Sequence, residues 1–471
     1  MLIPANSRNA AVRQWLSLVQ FLFRPRRGVT PPLLALGLAI TLALPWPAAA
    51  EDLSSLYRSA LDNDPRYRAA EANRAALQER IPQARAGLLP QLSATASRNR
   101  NENEVVTDST IVARPAGHAE YRSKEYALNL TQPVYNAAAL AALRQAHAEA
   151  RRGEAEYAAA RQDLMLRLAE AYFQLLLAQD QLALADAEKT ALALSLEAAR
   201  ARHKAGVTGI TELNDARARY QLAAAQEVEA ANQIEDRRQA LREIVATMPA
   251  ELSSLRADFP LVTPDPPDIQ RWVDTALGQN LGLLAAKEAA AAAREDVARS
   301  RAGHLPTLNI VGSRTRNDAD ASIAGPGIRA DDTVIGLQLS VPLLQGGYVS
   351  ARGAEMAHRY TAALQEVEAR RRAVERAARA SFLGVRGAGV RVEALGEAVA
   401  ASATALEAKS EGYRVGLYTA MDVLDATRDL YRAKRDHAEA RYAFVLNLLR
   451  LKQAAGTLSE DDLTLVNNWL Q

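Results

Sequence analysis

Arg85-Ala-Gly-Leu-Leu-Pro90-Gln-Leu92, followed by Ser97-Arg-Asn-Arg-Asn101, returns later in the same chain as Arg301-Ala-Gly-His-Leu-Pro306-Thr-Leu308 and Ser313-Arg-Thr-Arg-Asn317. The offset is 216 residues, and upstream it also carries Asp52 and Ala60-Leu61 onto Asp268 and Ala276-Leu277. Downstream, Leu128-Asn-Leu130-Thr-Gln-Pro133 returns as Leu337-Gln-Leu339-Ser-Val-Pro342, and Ala171-Tyr-Phe173 as Ala380-Ser-Phe382, now at an offset of 209. Self-similarity of this length means one structural unit used twice. The copies differ in length only between residues 101–124 and 317–333, which are polar and glycine-containing, so the indel marks a surface loop.

Each copy predicts the same order of elements. A helix from about Leu53 to Ala86 ends at Gly87, a C-cap glycine, and Pro90 then forces extended chain. Leu92, Ala94 and Ala96 alternate with Ser93, Thr95 and Ser97; Tyr126, Leu128 and Leu130 alternate with Ala127, Asn129 and Thr131. In the second copy Leu308 and Ile310 alternate with Thr307 and Asn309, and Ile335, Leu337, Leu339 and Val341 with Val334, Gly336, Gln338 and Ser340. Strands of about ten residues, apolar on one side and small or polar on the other, fit a transmembrane barrel or, taken singly, a soluble sandwich. Four strands cannot close a membrane barrel, so the barrel reading demands several copies of the chain.

Past Pro133 and Pro342 run helices from Ala137 to Ala205 and from Ser350 to Val415, the first about 100 Å long at 1.5 Å per residue. Leu168, Tyr172, Leu175 and Leu182 recur on one seam, and such lengths pair as coiled coils. Gly384, Gly387 and Gly389 stand inside the second helix, where close packing is their expected use. The turns Lys204-Ala-Gly206-Val-Thr-Gly209 and Arg414-Val-Gly416-Leu-Tyr-Thr419 precede returning helices at about Thr211 to Ala246 and Ala420 to Ala455. Between the copies Pro249 to Pro267 holds five prolines and reads as an extended linker at a waist. The expected domains are therefore a leader 1–50, a first repeat 51–256 and a second repeat 257–471.

The leader differs from the rest of the chain. Arg8, Arg13, Arg24, Arg26 and Arg27 precede the apolar run Leu33 to Leu44, then Pro45-Trp-Pro-Ala48-Ala-Ala50. A dozen apolar residues are short of the roughly 20 a membrane helix needs, and Ala48-x-Ala50 suits a signal peptidase, so cleavage before Glu51 is expected. No later run is long enough to cross a membrane as a helix, which leaves strands for that task.

Composition narrows the function. Aromatics are only 5% and the net charge is +2, with acids and bases interleaved, so there is no basic stripe for nucleic acid. The chain has no cysteine, which excludes disulfides, thiolate metal sites and an acylated amino-terminal cysteine. Six histidines are scattered singly and no phosphate-cradling loop or metal-ligand spacing occurs, so no catalytic, cofactor or metal site is expected.

The tip Gly412-Tyr-Arg-Val-Gly416-Leu-Tyr-Thr-Ala-Met-Asp422-Val-Leu-Asp425-Ala, with Leu430-Tyr-Arg-Ala-Lys434 and Ala440-Arg-Tyr442 to Ala455-Gly-Thr-Leu458, closely resembles the TolC-type outer-membrane factor (channel-tunnel) family. Gly206-Val-Thr-Gly-Ile-Thr211-Glu-Leu-Asn-Asp215-Ala-Arg217 looks like the matching turn of the first copy. Prolines at all four helix–strand junctions, Pro90, Pro133, Pro306 and Pro342, extend the likeness over the whole chain after the leader. The lack of a lipidated cysteine makes it more similar to the type I secretion branch than to lipoprotein drug-efflux factors.

The resemblance implies a mainly α fold with a β-barrel: a homotrimer giving four strands per protomer to one barrel in outer-membrane lipid, continued by a helical tunnel. It implies a conduit whose tips dock on a periplasmic adaptor (membrane fusion protein) and an inner-membrane transporter. Matching residue by residue, it points to Asp422 and Asp425 as gate carboxylates and to Thr211, Glu212 and Tyr413 as polar links. It likewise points to Gly206, Val207, Thr208, Gly416, Leu417 and Thr419 as adaptor-docking tips. The family's best-studied member has an arginine where this chain has Tyr418, so a salt-linked closure is not implied. Asp422 and Asp425 lie three apart on one helix face, and threefold symmetry would gather six acids, which raise one another's pKa or bind cations. Thr419 with Asp422 also reads as a helix cap and first-turn acid with no further role. A periplasmic coiled-coil scaffold would explain the helices alone, but not two strand pairs with apolar faces.

Overall fold

The computed structural model describes residues 51–105, 117–247, 251–322 and 325–471, so the leader and its cleavage site lie outside the described residues. The first predicted helix is three: α1 (Leu53–Asn63), α2 (Pro65–Gln78) and α3 (Arg80–Ala86). The break at Asp64 has a local cause. Its carboxylate caps α2 by accepting from Tyr67 N–H at 2.7 Å, and Pro65 at the first helical position cannot continue the ladder of α1. Gly87 closes α3 with φ −67°, an ordinary right-handed conformation, so it is not the left-handed cap expected of a glycine.

Four strands follow the predicted pairing but exceed the predicted length: β1 (Gln91–Val105), β2 (Gly117–Tyr135), β3 (Thr307–Ser322) and β4 (Gly325–Ser340). They form one antiparallel sheet in the order β1-β2-β3-β4. Leu92 faces Leu130, Leu130 faces Gly312, and Gly312 faces Ile335, so the alternating apolar residues of both copies share one face. Pro90 and Pro306 immediately precede β1 and β3, as expected at junctions. Pro133 does not mark the end of its strand; it sits inside β2 beside a bulge between Pro133 and Tyr135, which accommodates its missing N–H. Pro342 lies beyond the end of β4, in the connection to the next helix.

The long helices are α4 (Ala137–Lys204), of 68 residues, and α8 (Tyr348–Arg414), of 67. Their returns are α5 (Ile210–Val245) and α9 (Ala420–Ala455). The second copy opens with α6 (Ile269–Gln279) and α7 (Leu281–Arg301), broken at Asn280 as the first copy is at Asp64. Among the described residues no helix is long and apolar enough to cross a membrane.

The main core is a belt around the middle of the long helices. Leu168, Tyr172, Phe173, Leu241, Phe444 and Leu449 are buried there with Leu53 and Leu56 of α1 and with Leu463 and Val466 of α10 (Glu460–Asn467). The proline-rich linker is part of this belt: Glu51 pairs with Leu252, Leu255 pairs with Leu470, and Leu255 and Phe259 are buried. Tyr172 locks it by donating its hydroxyl to Ser253 O at 2.6 Å. The boundary drawn at 256/257 thus falls in a segment held by residues of both repeats and of the C-terminus. Of the interior glycines of α8, Gly384 and Gly389 face Asn447 and Phe444 at ordinary contact range and Gly387 faces open space, so close packing accounts for them only weakly.

Candidate functional site

The two hairpin tips end the helices farthest from the sheet. Gly206 (φ +75°) and Gly416 (φ +83°) take the left-handed conformation that closes each long helix. Val207 N–H donates to Arg202 O at 2.9 Å and Leu417 N–H to Gly412 O at 2.8 Å, the six-to-one bond that satisfies a last-turn carbonyl. Val207 and Leu417 are left strongly exposed, Thr208 O lies 3.1 Å from His203 Nδ1, and Thr208 Oγ1 is buried without a partner. Tyr418 folds its ring onto Gly412, where a Cβ would stand 2.5 Å from Tyr418 Cδ2, so the ring needs that glycine.

Between the tips lies a clasp. Tyr413 donates its hydroxyl to Glu212 Oε1 at 3.1 Å. The same oxygen is 2.8 Å from Arg202 Nη2, and the Arg202 guanidinium lies 4.7 Å from the Tyr413 ring centroid. Glu212 and Tyr413 are thus brought together as expected, around an arginine from the last turn of α4 that the sequence reading had not singled out. Thr211 lines a cleft beside Glu212, Asp215, Thr419 and Met421.

The two carboxylates expected at a gate part company. Asp422 Oδ2 accepts from Thr419 N–H at 2.8 Å and from Thr419 Oγ1 at 2.6 Å, while Thr419 Oγ1 accepts from Asp422 N–H at 3.3 Å. This is a complete capping box. The Thr419 hydroxyl and backbone N–H hold the Asp422 carboxyl below its ordinary range. Within one protomer, therefore, crowding does not raise it. Asp425 instead pairs with Arg219 of α5 at 2.7 Å, with Arg428 at 3.6 Å. Arg219 joins the two repeats just behind the tips and was also missed; its place on the facing helix is a tertiary fact with no local sequence signal.

The repeat explains why equivalent acids behave differently. Glu212 and Asp422 both occupy the third position of their helices. Thr419 supplies a capping hydroxyl, so Asp422 folds back to it. Gly209 at the same position has no side chain to offer, which leaves Glu212 free to reach Tyr413 and Arg202.

A sheet with one apolar face, standing on helices about 100 Å long whose far ends carry a charged clasp, is the architecture of a transport channel. The chain belongs to the outer membrane efflux protein family, whose model matches residues 56–247 and 272–457. It is 35% identical over 425 residues to the outer membrane protein TolC of Vibrio cholerae, covering 90% of this chain and 94% of that one. It is 31% identical over 431 residues to the proteases secretion protein PrtF of Dickeya chrysanthemi, covering 90% and 92%. The Campylobacter jejuni CmeC outer membrane channel shares the fold with a TM-score of 0.75 at 16% identity, over 94% of this chain and 98% of that one. The expected TolC-type fold and the role of an outer-membrane secretion or efflux channel are both borne out.

Proposed function

We propose that the protein works as a homotrimer whose pooled strands close one outer-membrane barrel, and that it carries proteins outward by type I secretion. One observation supports this most directly. The sheet leaves β1 and β4 as unpaired edges among the described residues and exposes Leu92, Ile335, Leu337 and Leu339 on a single face. Unpaired edges demand neighbours, and an exposed apolar band demands lipid. A soluble coiled-coil scaffold would leave both unsatisfied. Three copies give twelve strands, three times four, enough for a wide lumen.

The partners are a periplasmic adaptor and an inner-membrane transporter. Val207, Thr208, Leu417 and Thr419, together with the Gly206 and Gly416 turns, offer the adaptor exposed backbone and apolar side chains at the tips. The clasp of Arg202, Glu212 and Tyr413 and the Asp425–Arg219 pair hold the periplasmic end narrow until docking, with Asp422 and Thr211 lining the same constriction. The Dickeya relative is a proteases secretion protein, which supports a protein cargo. The leader is removed before Glu51; Glu51 is itself bridged to Leu252, so cleavage there leaves the belt whole.

The test is the mass of the detergent-solubilised, full-length mature protein, followed by conductance in planar bilayers. Trimers that form pores are expected. A monomer, or a trimer without conductance, would overturn the reading.

A further inference from the structure

The face of the sheet that carries the apolar residues does not stay apolar along its length. Residues paired directly across neighbouring strands project to the same side, so register assigns the face row by row. Leu92 opposite Leu130, Ala94 opposite Leu128 and Ala96 opposite Tyr126 continue into Arg98 opposite Lys124, then Arg100 opposite Arg122. On the next strands the row of Lys124 continues through Asp318 to Arg329.

Two features set Arg98, Arg100, Arg122 and Lys124 apart from an ordinary solvated face. The first is like-charge pairing: two successive rows place cation directly opposite cation on β1 and β2. Beside them on β3 the only acids are Asp318, opposite Lys124, and Asp320, which accepts from the Arg122 N–H at 2.6 Å, leaving an excess of positive charge that an anion would relieve. Arg100 is relieved by Glu120 at 2.6 Å. Among the described residues, the Arg98, Arg122 and Lys124 side chains have no carboxylate oxygen within 4.0 Å, although neighbouring arginines do, as in Arg329 with Asp318 at 2.8 Å.

The second is height. From Leu308 to the row of Asp318 the strand rises about 34 Å, or about 26 Å when tilted about 40°, which matches an apolar band of about 25 Å. The helices leave from the other end of the sheet, so the cations stand at the band's outer edge. Arg316, opposite Tyr126 and 3.8 Å from Asp331, and Arg314, opposite Leu128, share this face one and two rows inside the band's edge, with side chains long enough to lean toward it. One row farther out, Glu102 opposite Glu120 turns the face acidic, which confines an anion to the cationic rows.

Resting on the barrel reading above, we propose that the outward face of the β1–β2 hairpin binds the phosphate groups of an outer-leaflet glycolipid, through Arg98, Arg122 and Lys124, with Arg100 at the rim. Arginine forks match phosphate oxygens two at a time, and Lys124 adds a point charge. A glycolipid phosphate lies at the level where the apolar band ends, while its acyl chains run down over Tyr126, Leu128 and Leu130. The shared chemistry is phosphate; the lipid is favoured over free phosphate because the site is continuous with the lipid-facing band.

The experiment uses the full-length mature protein in detergent, with bisphosphorylated lipid A, the same lipid stripped of phosphate, and inorganic phosphate as probes. Expected are binding of the bisphosphorylated lipid, at least about tenfold weaker binding in Arg98→Gln/Arg122→Gln/Lys124→Gln and of the stripped lipid, and no displacement by millimolar phosphate. The variant should keep wild-type assembly and conductance. Unchanged lipid affinity in an assembled variant overturns the proposal, and so does displacement by free phosphate alone. If the triple variant does not assemble, Lys124→Gln alone decides by the same readout. A wild-type protein that does not assemble refutes the barrel reading itself, an outcome visible in the mass before any lipid is added.

Discussion

Glu212→Gln isolates the charge in the clasp, because the amide keeps an oxygen for the Tyr413 hydroxyl but loses the attraction to Arg202. The pair is 2.8 Å apart with side chains 32% and 26% exposed, between a solvated pair and a buried one. Exposed pairs contribute up to about 1 kcal/mol and broken buried ones cost about 3 to 5, so about 1 kcal/mol per protomer is a conservative figure. If three tips open together the closed state loses about 3 kcal/mol, which favours opening about 100-fold. Open probability of single channels in planar bilayers, at 0.1 M and 1 M salt, measures this. The increase should be largest at low salt and shrink at 1 M, where charges are screened within about 3 Å. Unchanged gating at 0.1 M in correctly assembled trimers, or an equal effect at both salt concentrations, would refute the clasp as a charged latch.

Gly209→Thr should build a second capping box and draw Glu212 back to it, opening the clasp much as Glu212→Gln does; a crystal structure with Glu212 still on Tyr413 would contradict the capping argument. Asp425→Ala frees Arg219 and should weaken block by multivalent cations, whereas Asp422→Ala should mainly fray the start of α9, seen as faster amide exchange. The Asp422 carboxyl is held below its ordinary range, so its contribution is present above that range and is lost as pH falls through the depressed value. Exchange at Thr419 and Asp422 should therefore rise only below about pH 4. Gly416→Val forces a β-branched residue to φ +83° at an exposed tip, and secretion should fail while trimer mass and barrel conductance persist.

The duplicated elements were legible because they follow period and punctuation. α9 was placed to the residue, and the long helices within two residues of either end. The strands ran longer than expected because β1 and β2 continue past the alternating residues into Arg98–Glu104 and Tyr121–Lys124, where hydrogen bonding persists but the apolar signal has stopped. The belt was invisible for a different reason: Leu255 meets Leu470 and Glu51 meets Leu252 across sequence separations that no local pattern encodes. At the tips, Glu212 and Tyr413 were readable by resemblance. Arg202 and Arg219 were not, since what selects them is the neighbour each helix meets.

Duplication alone would have left the two tips unlinked. Two identical tips, each with a hydroxyl before the helix and an acid three residues on, would cap both returning helices and leave no carboxylate to span them. The first tip has Gly209 where the second has Thr419, and Glu212 where it has Asp422, so the longer carboxylate has no cap hydroxyl to fold back to and makes a cross-link instead. The exchange costs little locally, because glycine is itself a tolerated cap residue, within a few tenths of a kcal/mol of the hydroxyl residues. The link it frees is exposed enough to break and shielded enough to matter. Under the function proposed above, a latch that yields to a docking partner would need a strength in that range, and the asymmetry of the repeats would supply it.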